Sequence, residues 1–415
     1  MSEVSNVQRS WTQRFVFRWT TLVGLLVIGL LAAAAQPGLQ MWRDRQALTF
    51  DRQCRELRDR KDWSKLAAES ESWSKSDPKR AKAWLFRAEA AEGQAKFVEA
   101  SDYLFHVPPN DERYIPAYMG GVTLLLGQAN RPIEGIAAIH QLFKREPRIA
   151  EAHKHLIQFY ALTLQRQKLL HQIRFAIANE REPPESYVYL LLVDTLRLSN
   201  GVEMNSRWLE QYPDNEIFLV ARALHMQDEK EEARRKAAEN KSGLAEKETE
   251  ITPQRSQTLA DLFQRFPNNL ELLSYEIELA LLVGDTDRVI ALLSKAPPEI
   301  DDDNRFWRYK GQIHEARQEL DEAEKAYRKS ARMNPLEWRS WNSVAIIERL
   351  RGNFAEAGRL QGLVKRADGL RIKARALPLI EEVGPDWLRP FADIARDAGD
   401  KQVADALFRR LNSTR

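Results

Sequence analysis

The chain carries few residues whose type and spacing suit catalysis or metal binding. His153 and His155 are its one close histidine pair. On a helix, residues two apart point to different sides, so the pair cannot easily ligate one metal ion. His171, His225 and His314 stand alone. Cys54 is the only thiol, a candidate nucleophile or intermolecular disulfide partner. It sits between Phe50 and Leu57, where a small apolar residue for packing is the plainer reading. The sequence holds no Walker phosphate loop, no dinucleotide-type Gly-rich turn, no His-Glu-x-x-His and no Cys-x-x-Cys. Gly-x-Ser-x-Gly is also absent. No spacing supplies a convergent acid, base or nucleophile. The expectation is no catalytic residue, no cofactor, no metal and no small-molecule substrate.

Charge supports a similar conclusion for nucleic acid. Lys and Arg total 63 against 60 Asp and Glu, a net charge of +3 over 415 residues. The basic residues are interleaved with acids rather than gathered on one face, so nucleic-acid binding is not expected. A single cysteine allows no intramolecular disulfide, and stability must come from helix packing. The length exceeds a single core of ordinary size, which leaves two domains or an elongated repeat array. Leu, Ala, Glu, Arg and Lys dominate, with no strong alternating Val, Ile and Thr run, and this favours helix over sheet.

Residues 19–35, from Trp19 to Ala35, carry no charge. Pro37 and Gly38 come next, and Arg9, Arg14 and Arg18 precede. A helix of that length spans about 25 Å, near the lower limit for crossing a bilayer. Two readings stay open. One is an uncleaved signal anchor over 19–38, behind a short tail at 1–18. The other is a secretory signal cleaved near Ala35, at the Ala33 to Ala35 site. Arginines flank both sides, so the positive-inside rule does not set orientation. Either segment exports the polypeptide C-terminal to it. That places the bulk of the chain outside the cytoplasm on a single-pass membrane protein, or free of the membrane after cleavage.

The remainder repeats with a period of about 34 residues. Units begin at Ala47, Ala81, Pro116, Ala150 and Pro184, then at Leu270, Asn304 and Trp338, with a shifted copy at Pro385. The unit from Asn304 has Trp307 at position 4, Gly311 at 8, Ala323 at 20, Tyr327 at 24 and Pro335 at 32. The next has Trp341, Ala345, Phe354 and Ala357; the unit from Ala81 has Trp84, Ala88, Phe97 and Ala100. The last copy has Ala392, Gly399, Ala404 and Phe408. Each unit reads as two amphipathic helices joined by a short turn such as Arg351-Gly352-Asn353, with small residues where the helices approach. Pro78, Pro147 and Pro335 stop the second helix. One hairpin cannot bury its apolar face, so hairpins must stack. The units from Ala150 and Pro184 depart, with Ile157 and Leu191 at position 8 and, in the latter, Asp194 and Arg207.

This pattern resembles the tetratricopeptide repeat. The resemblance implies an all-α, right-handed α-solenoid of stacked hairpins after the N-terminal helix. It divides the chain into a first block at 47–215, a charged helical insertion at 216–269 and a second block at 270–411. A further insertion is expected near 370–384, with Arg371, Lys373 and Arg375. The resemblance also implies that first helices line a concave groove for peptides or partner helices. In the second block that groove would present Arg305, Arg308, Tyr309, Gln312, Arg339, Asn342, Ile346 and Arg349, a basic face suited to an acidic or carboxylate-ended segment. The expected function is a membrane-tethered scaffold for protein partners. An accessory role in envelope polymer assembly or export, and an enzyme on a helical platform, are the alternatives.

Overall fold

The computed structural model describes residues 41–196, 198, 200–227, 256–375 and 383–413, and every regular element among them is helical. The helices are α1 (41–59), α2 (Trp63–Ser76), α3 (Ala81–Gly93), α4 (Phe97–Phe105) and α5 (Tyr114–Leu126). Then come α6 (Pro132–Phe143), α7 (Ala150–Leu162), α8 (Arg166–Ala178), α9 (Ser186–Leu192), α10 (Gly201–Leu209) and α11 (216–227). They continue with α12 (Gln257–Arg265), α13 (Leu270–Leu282), α14 (Thr286–Ser294), α15 (Asn304–Ala316) and α16 (Leu320–Met333). The last are α17 (Trp338–Leu350), α18 (Phe354–Arg375), α19 (Pro385–Asp397) and α20 (Lys401–Ser413). No helix among the described residues is long and apolar enough to cross a membrane; the candidate span at 19–38 lies outside them.

The repeat register is visible in three independent features. First helices α3, α7, α13, α15, α17 and α19 begin at the expected starts and run 13 residues each. Second helices begin at position 17, as at Trp63, Phe97, Arg166, Thr286, Leu320, Phe354 and Lys401. Between them, position 15 adopts a left-handed conformation in eight units: Lys61, Ala95, Asn130, Leu164, Gly284, Gln318, Gly352 and Gly399. A left-handed residue stops a helix and lets the next amide reach back. The position-16 amide does so, donating to the position-11 carbonyl at 2.8–2.9 Å for Asp62, Lys96, Gln165, Asp285, Glu319, Asn353 and Asp400. Asp62, Asp285 and Asp400 then use their carboxylates to cap the second helix, accepting from the amides of Lys65, Arg288 and Val403.

The third feature is a ring N–H at position 4 that donates to the carbonyl six residues upstream. Trp84 bonds Pro78, Trp307 bonds Asp301 and Trp341 bonds Pro335, all at 2.8–2.9 Å. These indoles are half-buried, and each ties the start of a first helix to the end of the preceding unit. His153 does the same through Nε2, 2.8 Å from the Pro147 oxygen, while its Nδ1 lies 2.8 Å from the Gln172 side-chain amide. Burial holds its pKa below the ordinary histidine value, so the neutral ring is the form that fits.

Helix contact within a hairpin is set by positions 8 and 20, which are buried together. Small meets small at Ala88/Ala100, Ala345/Ala357 and Ala392/Ala404; large meets large at Ile157/Leu169 and Ile277/Val289. Ile157 is therefore accommodated rather than displaced. Cys54, fully buried opposite Leu66, packs with Trp73, Ala83 and Phe86, and burial pushes its thiol up to about 12.

The chain forms two compact units, divided between Ala129 and Asn130. The division falls upstream of the charged stretch at 216–269 because α8 and α9 pack against later hairpins of the second unit. Arg174 on α8 pairs with Asp400 at 2.7 Å, and Tyr187 on α9 meets Phe391 edge-on at 6.3 Å. The unit from Pro184 departs from the repeat: α9 spans 7 residues, all buried, and ends in a 3-10 turn at Val193–Thr195. Of the expected insertions, 216–227 is helical and 228–255 lies outside the described residues. Near 370, α18 simply runs on to Arg375, and 376–382 lies outside them.

Gly311 tests the close approach in its hairpin. A Cβ there would lie 2.6 Å from the ring of Tyr327, which is fully buried and cannot move away. Gly311→Ala is expected to destabilise the protein by about 1–3 kcal/mol in chemical denaturation, the usual cost of overpacking. Gly358→Ala, with open space around its Cβ, is the control and should cost nothing.

Candidate functional site

The face expected to bind a partner in the second block is filled by the chain itself. Arg305, Arg308 and Tyr309 are 3 %, 5 % and 0 % exposed. Arg305 makes a two-pronged bond to Glu271 at 2.8 and 2.9 Å and a second to Asp303 at 2.7 Å. Arg166, from the start of α8, pairs with the same Glu271 and donates to the Val193 carbonyl at 2.8 Å. Tyr309 donates to Glu278 at 2.8 Å and sits 2.7 Å from the Ser274 hydroxyl. Arg339 lies 3.9 Å from Asp194, the polar residue that looked out of place in its repeat. Gln312, Arg339 and Asn342 are half-buried, and only Ile346 and Arg349 are exposed. An external ligand for Arg305 would first have to displace Glu271 and Asp303, with Arg166 alongside.

Burial and neighbouring charges act on this interior in opposite senses. Burial alone would raise the Asp303 carboxyl, but the charge and hydrogen bonds of Arg305 hold it below the ordinary carboxylate value. Arg166, buried and facing the charge of Arg305, is lowered to about 10, still cationic at neutral pH. Asp194 is raised by burial and by Glu337. Such pairs add little net stability, yet removal of one member leaves a buried, uncompensated charge.

An open cleft lies in the first unit instead. It has a volume of about 710 Å³ and is lined by α1, the turn into α3 and the turn into α5. Leu48 and Lys82 occupy position 2 of their units and Asp51 position 5, so this is the groove face implied by the register, in a different block. Its charges are paired internally: Lys82 with Asp51 at 3.0 Å, Arg80 with Asp77 at 2.8 Å and with Asp44, Arg113 with Asp111 at 2.7 Å. The basic members keep roughly two-fifths of their side-chain surface exposed, and pairs of that kind contribute about 0–1 kcal/mol. A ligand carboxylate can therefore exchange with an internal one at little cost. Arg43 and Lys79, on the same walls, have no ion-pair partner among the described residues. Leu48 is 70 % exposed at the lip.

Sequence reasoning missed this cleft because Leu48, Asp51 and Lys82 carry no motif. The signal was present in the register, at positions 2 and 5, but nothing in the sequence says which block's groove stays empty. Among the described residues no three His, Cys, Asp or Glu side chains are grouped to hold a metal ion. His153 and His155 are separated as their spacing implies, His153 bonded to Pro147 and His155 3.7 Å from Glu151.

No family model matches the sequence, and no curated protein sequence matches it. Solved structures similar to it include yeast Tom70, with 12 % identity over 88 % of each chain and a TM-score of 0.28. The human IFIT1 dimer with m7Gppp-AAAA shares 12 % identity over 85 % of this chain and 95 % of that one, with a TM-score of 0.32. The APC/C hetero-tetramer Cut9-Hcn1 shares 14 % over 86 % and 77 %, with a TM-score of 0.31. At such scores the likeness assigns neither an arrangement of hairpins nor a ligand, and the repeat rests on the turns and position-4 bonds of the chain itself.

Replacing Arg305 discriminates a filled face from an open one. Arg305→Met is expected to cost about 3–5 kcal/mol in denaturant unfolding, because Asp303 and Glu271 lose a buried counter-charge. Arg349→Met, on an exposed site, is expected within about 0.5 kcal/mol of the parent.

Proposed function

We propose that the protein is a membrane-tethered helical-repeat scaffold that holds another polypeptide in the cleft of its first unit and performs no chemistry itself. The open cleft carries this reading: among the described residues the groove face is open in one unit and occupied by the chain's own side chains in the other. The apolar run at 19–35 is the tether, and the export implied by either of its two readings puts the repeats outside the cytoplasm. The cleft favours a segment that offers a carboxylate beside an apolar group. Arg43 and Lys79 meet the charge, Arg80, Lys82 and Arg113 exchange partners to help, and Leu48 receives the apolar group. Catalysis finds no support here. The cleft's carboxylates are bound by arginine or lysine, and the one thiol is buried in the core of the unit with its pKa driven upward.

A photo-crosslinking amino acid placed at Leu48 tests the proposal in native membranes, with the same group at exposed Ser64 as control. Position 48 is expected to give a discrete protein adduct that position 64 does not. Arg43→Glu with Lys79→Glu should cut that adduct by about tenfold, on the scale of two lost charge-assisted contacts. No adduct at 48, or one unaffected by the double substitution, would contradict the proposal.

A further inference from the structure

The first helix has a second face, beside the cleft, that no other element covers among the described residues. Along α1, at 100° per residue, Met41, Trp42, Arg45, Thr49 and Arg52 fall within about 100° of arc. All five are exposed, Met41 at 62 % and Trp42 at 61 %. The opposite side, Ala47, Phe50, Cys54 and Leu57, packs in the core. The acids of the same turns, Asp44 and Asp51, line the cleft. The outward face therefore holds two large apolar groups and two arginines, and no carboxylate before Glu56. Among the described residues no ion pair engages Arg45 or Arg52.

Chain length says what lies opposite. Only Gln36 to Gln40 separate the apolar run from Met41. Even fully extended, a spacer of that length reaches no more than about 20 Å. The headgroup layer on one side of a bilayer is about 5–8 Å thick. Met41 therefore starts within about 20 Å of the hydrocarbon edge whenever the apolar run is embedded, and the first three turns of α1, about 16 Å long, can reach the headgroup layer. Tryptophan favours the interface, and arginine is drawn to anionic headgroups. The tether holds the face at high effective concentration, so weak intrinsic affinity suffices.

We infer that this face of α1 lies on the membrane surface, with Met41 and Trp42 at the headgroup boundary and Arg45 and Arg52 on anionic phospholipid phosphates. The inference rests on the tether reading above. It orients the unit, because the cleft occupies the neighbouring side of the same helix and would open along the membrane rather than into bulk solvent.

Spin labels on the full-length chain test it, in vesicles of phosphatidylcholine and phosphatidylglycerol at three parts to one. Labels are placed singly at Val23→Cys, Thr49→Cys and Ser64→Cys in a Cys54→Ala background, and collision with a water-soluble nickel chelate is measured. The expected result is protection at 23, partial protection at 49 and full access at 64. Arg45→Glu with Arg52→Glu, or phosphatidylcholine alone, should raise access at 49 by roughly fivefold while 23 stays protected. If 23 is protected but 49 is as accessible as 64, the surface contact is refuted and the tether survives. If 49 is protected equally in both lipids and with both charges reversed, the phosphate contact is refuted. If 23 is itself accessible, tether and contact both fail.

Discussion

The structure depends on one small backbone arrangement, the turn inside each hairpin. A residue at position 15 takes the left-handed conformation, and the following amide closes a bond to the carbonyl five residues earlier. That geometry fixes the angle at which the second helix leaves the first, and so fixes which side chains meet between them. Glycine occupies the position at Gly284, Gly352 and Gly399, where the conformation is free of strain. Lys61, Ala95, Leu164 and Gln318 adopt it at about 1–2 kcal/mol each. The bond closed by the next amide and the packing of the hairpin offset that cost. In four units a ring N–H at position 4 then links the hairpin to the chain before it, and histidine at 153 shows that an imidazole can take the place of an indole.

The same geometry yields opposite outcomes in the two units. Repeats present a face formed by first helices, and whether it is a binding groove depends on what else reaches it. In the second unit the face meets α8 and the irregular α9 region, and Arg305, which would have faced solvent, is bound to acids supplied by the chain. Arg305, Glu271 and Asp303 show the consequence, since their hydrogen bonds are completed among themselves and with Arg166. In the first unit no such segment intervenes among the described residues, and the corresponding positions border open space. Departure from the repeat at Asp194 belongs to the same logic: a residue that fits no hairpin position fits a neighbour's arginine.

Period, helix starts, turn position and hairpin order were legible in the sequence because they are local. Each derives from spacing within about 34 residues, and a Trp307 or a Gly311 repeats its role wherever the spacing recurs. The illegible part is long-range. Arg305 is buried because Glu271 and Arg166 converge on it, and no pattern near residue 305 announces either. The break between Ala129 and Asn130 was hidden for the same reason, since α8 carries ordinary repeat features while packing against a hairpin more than two hundred residues later. The position-4 indoles of Trp84, Trp307 and Trp341 are half-buried donors, whereas Trp73, Trp208 and Trp387 are buried in the core.

The turn amides offer the most direct test of the repeat. Residue-resolved hydrogen exchange should find the backbone N–H groups of Lys96, Asp285, Glu319 and Asn353 protected to the level of the adjoining helices, although each lies in a short surface turn, because each donates to a position-11 carbonyl. Exchange at the rate of unbonded loop amides in all four turns would mean that the hairpins do not share this closure, and the repeat described here would be wrong.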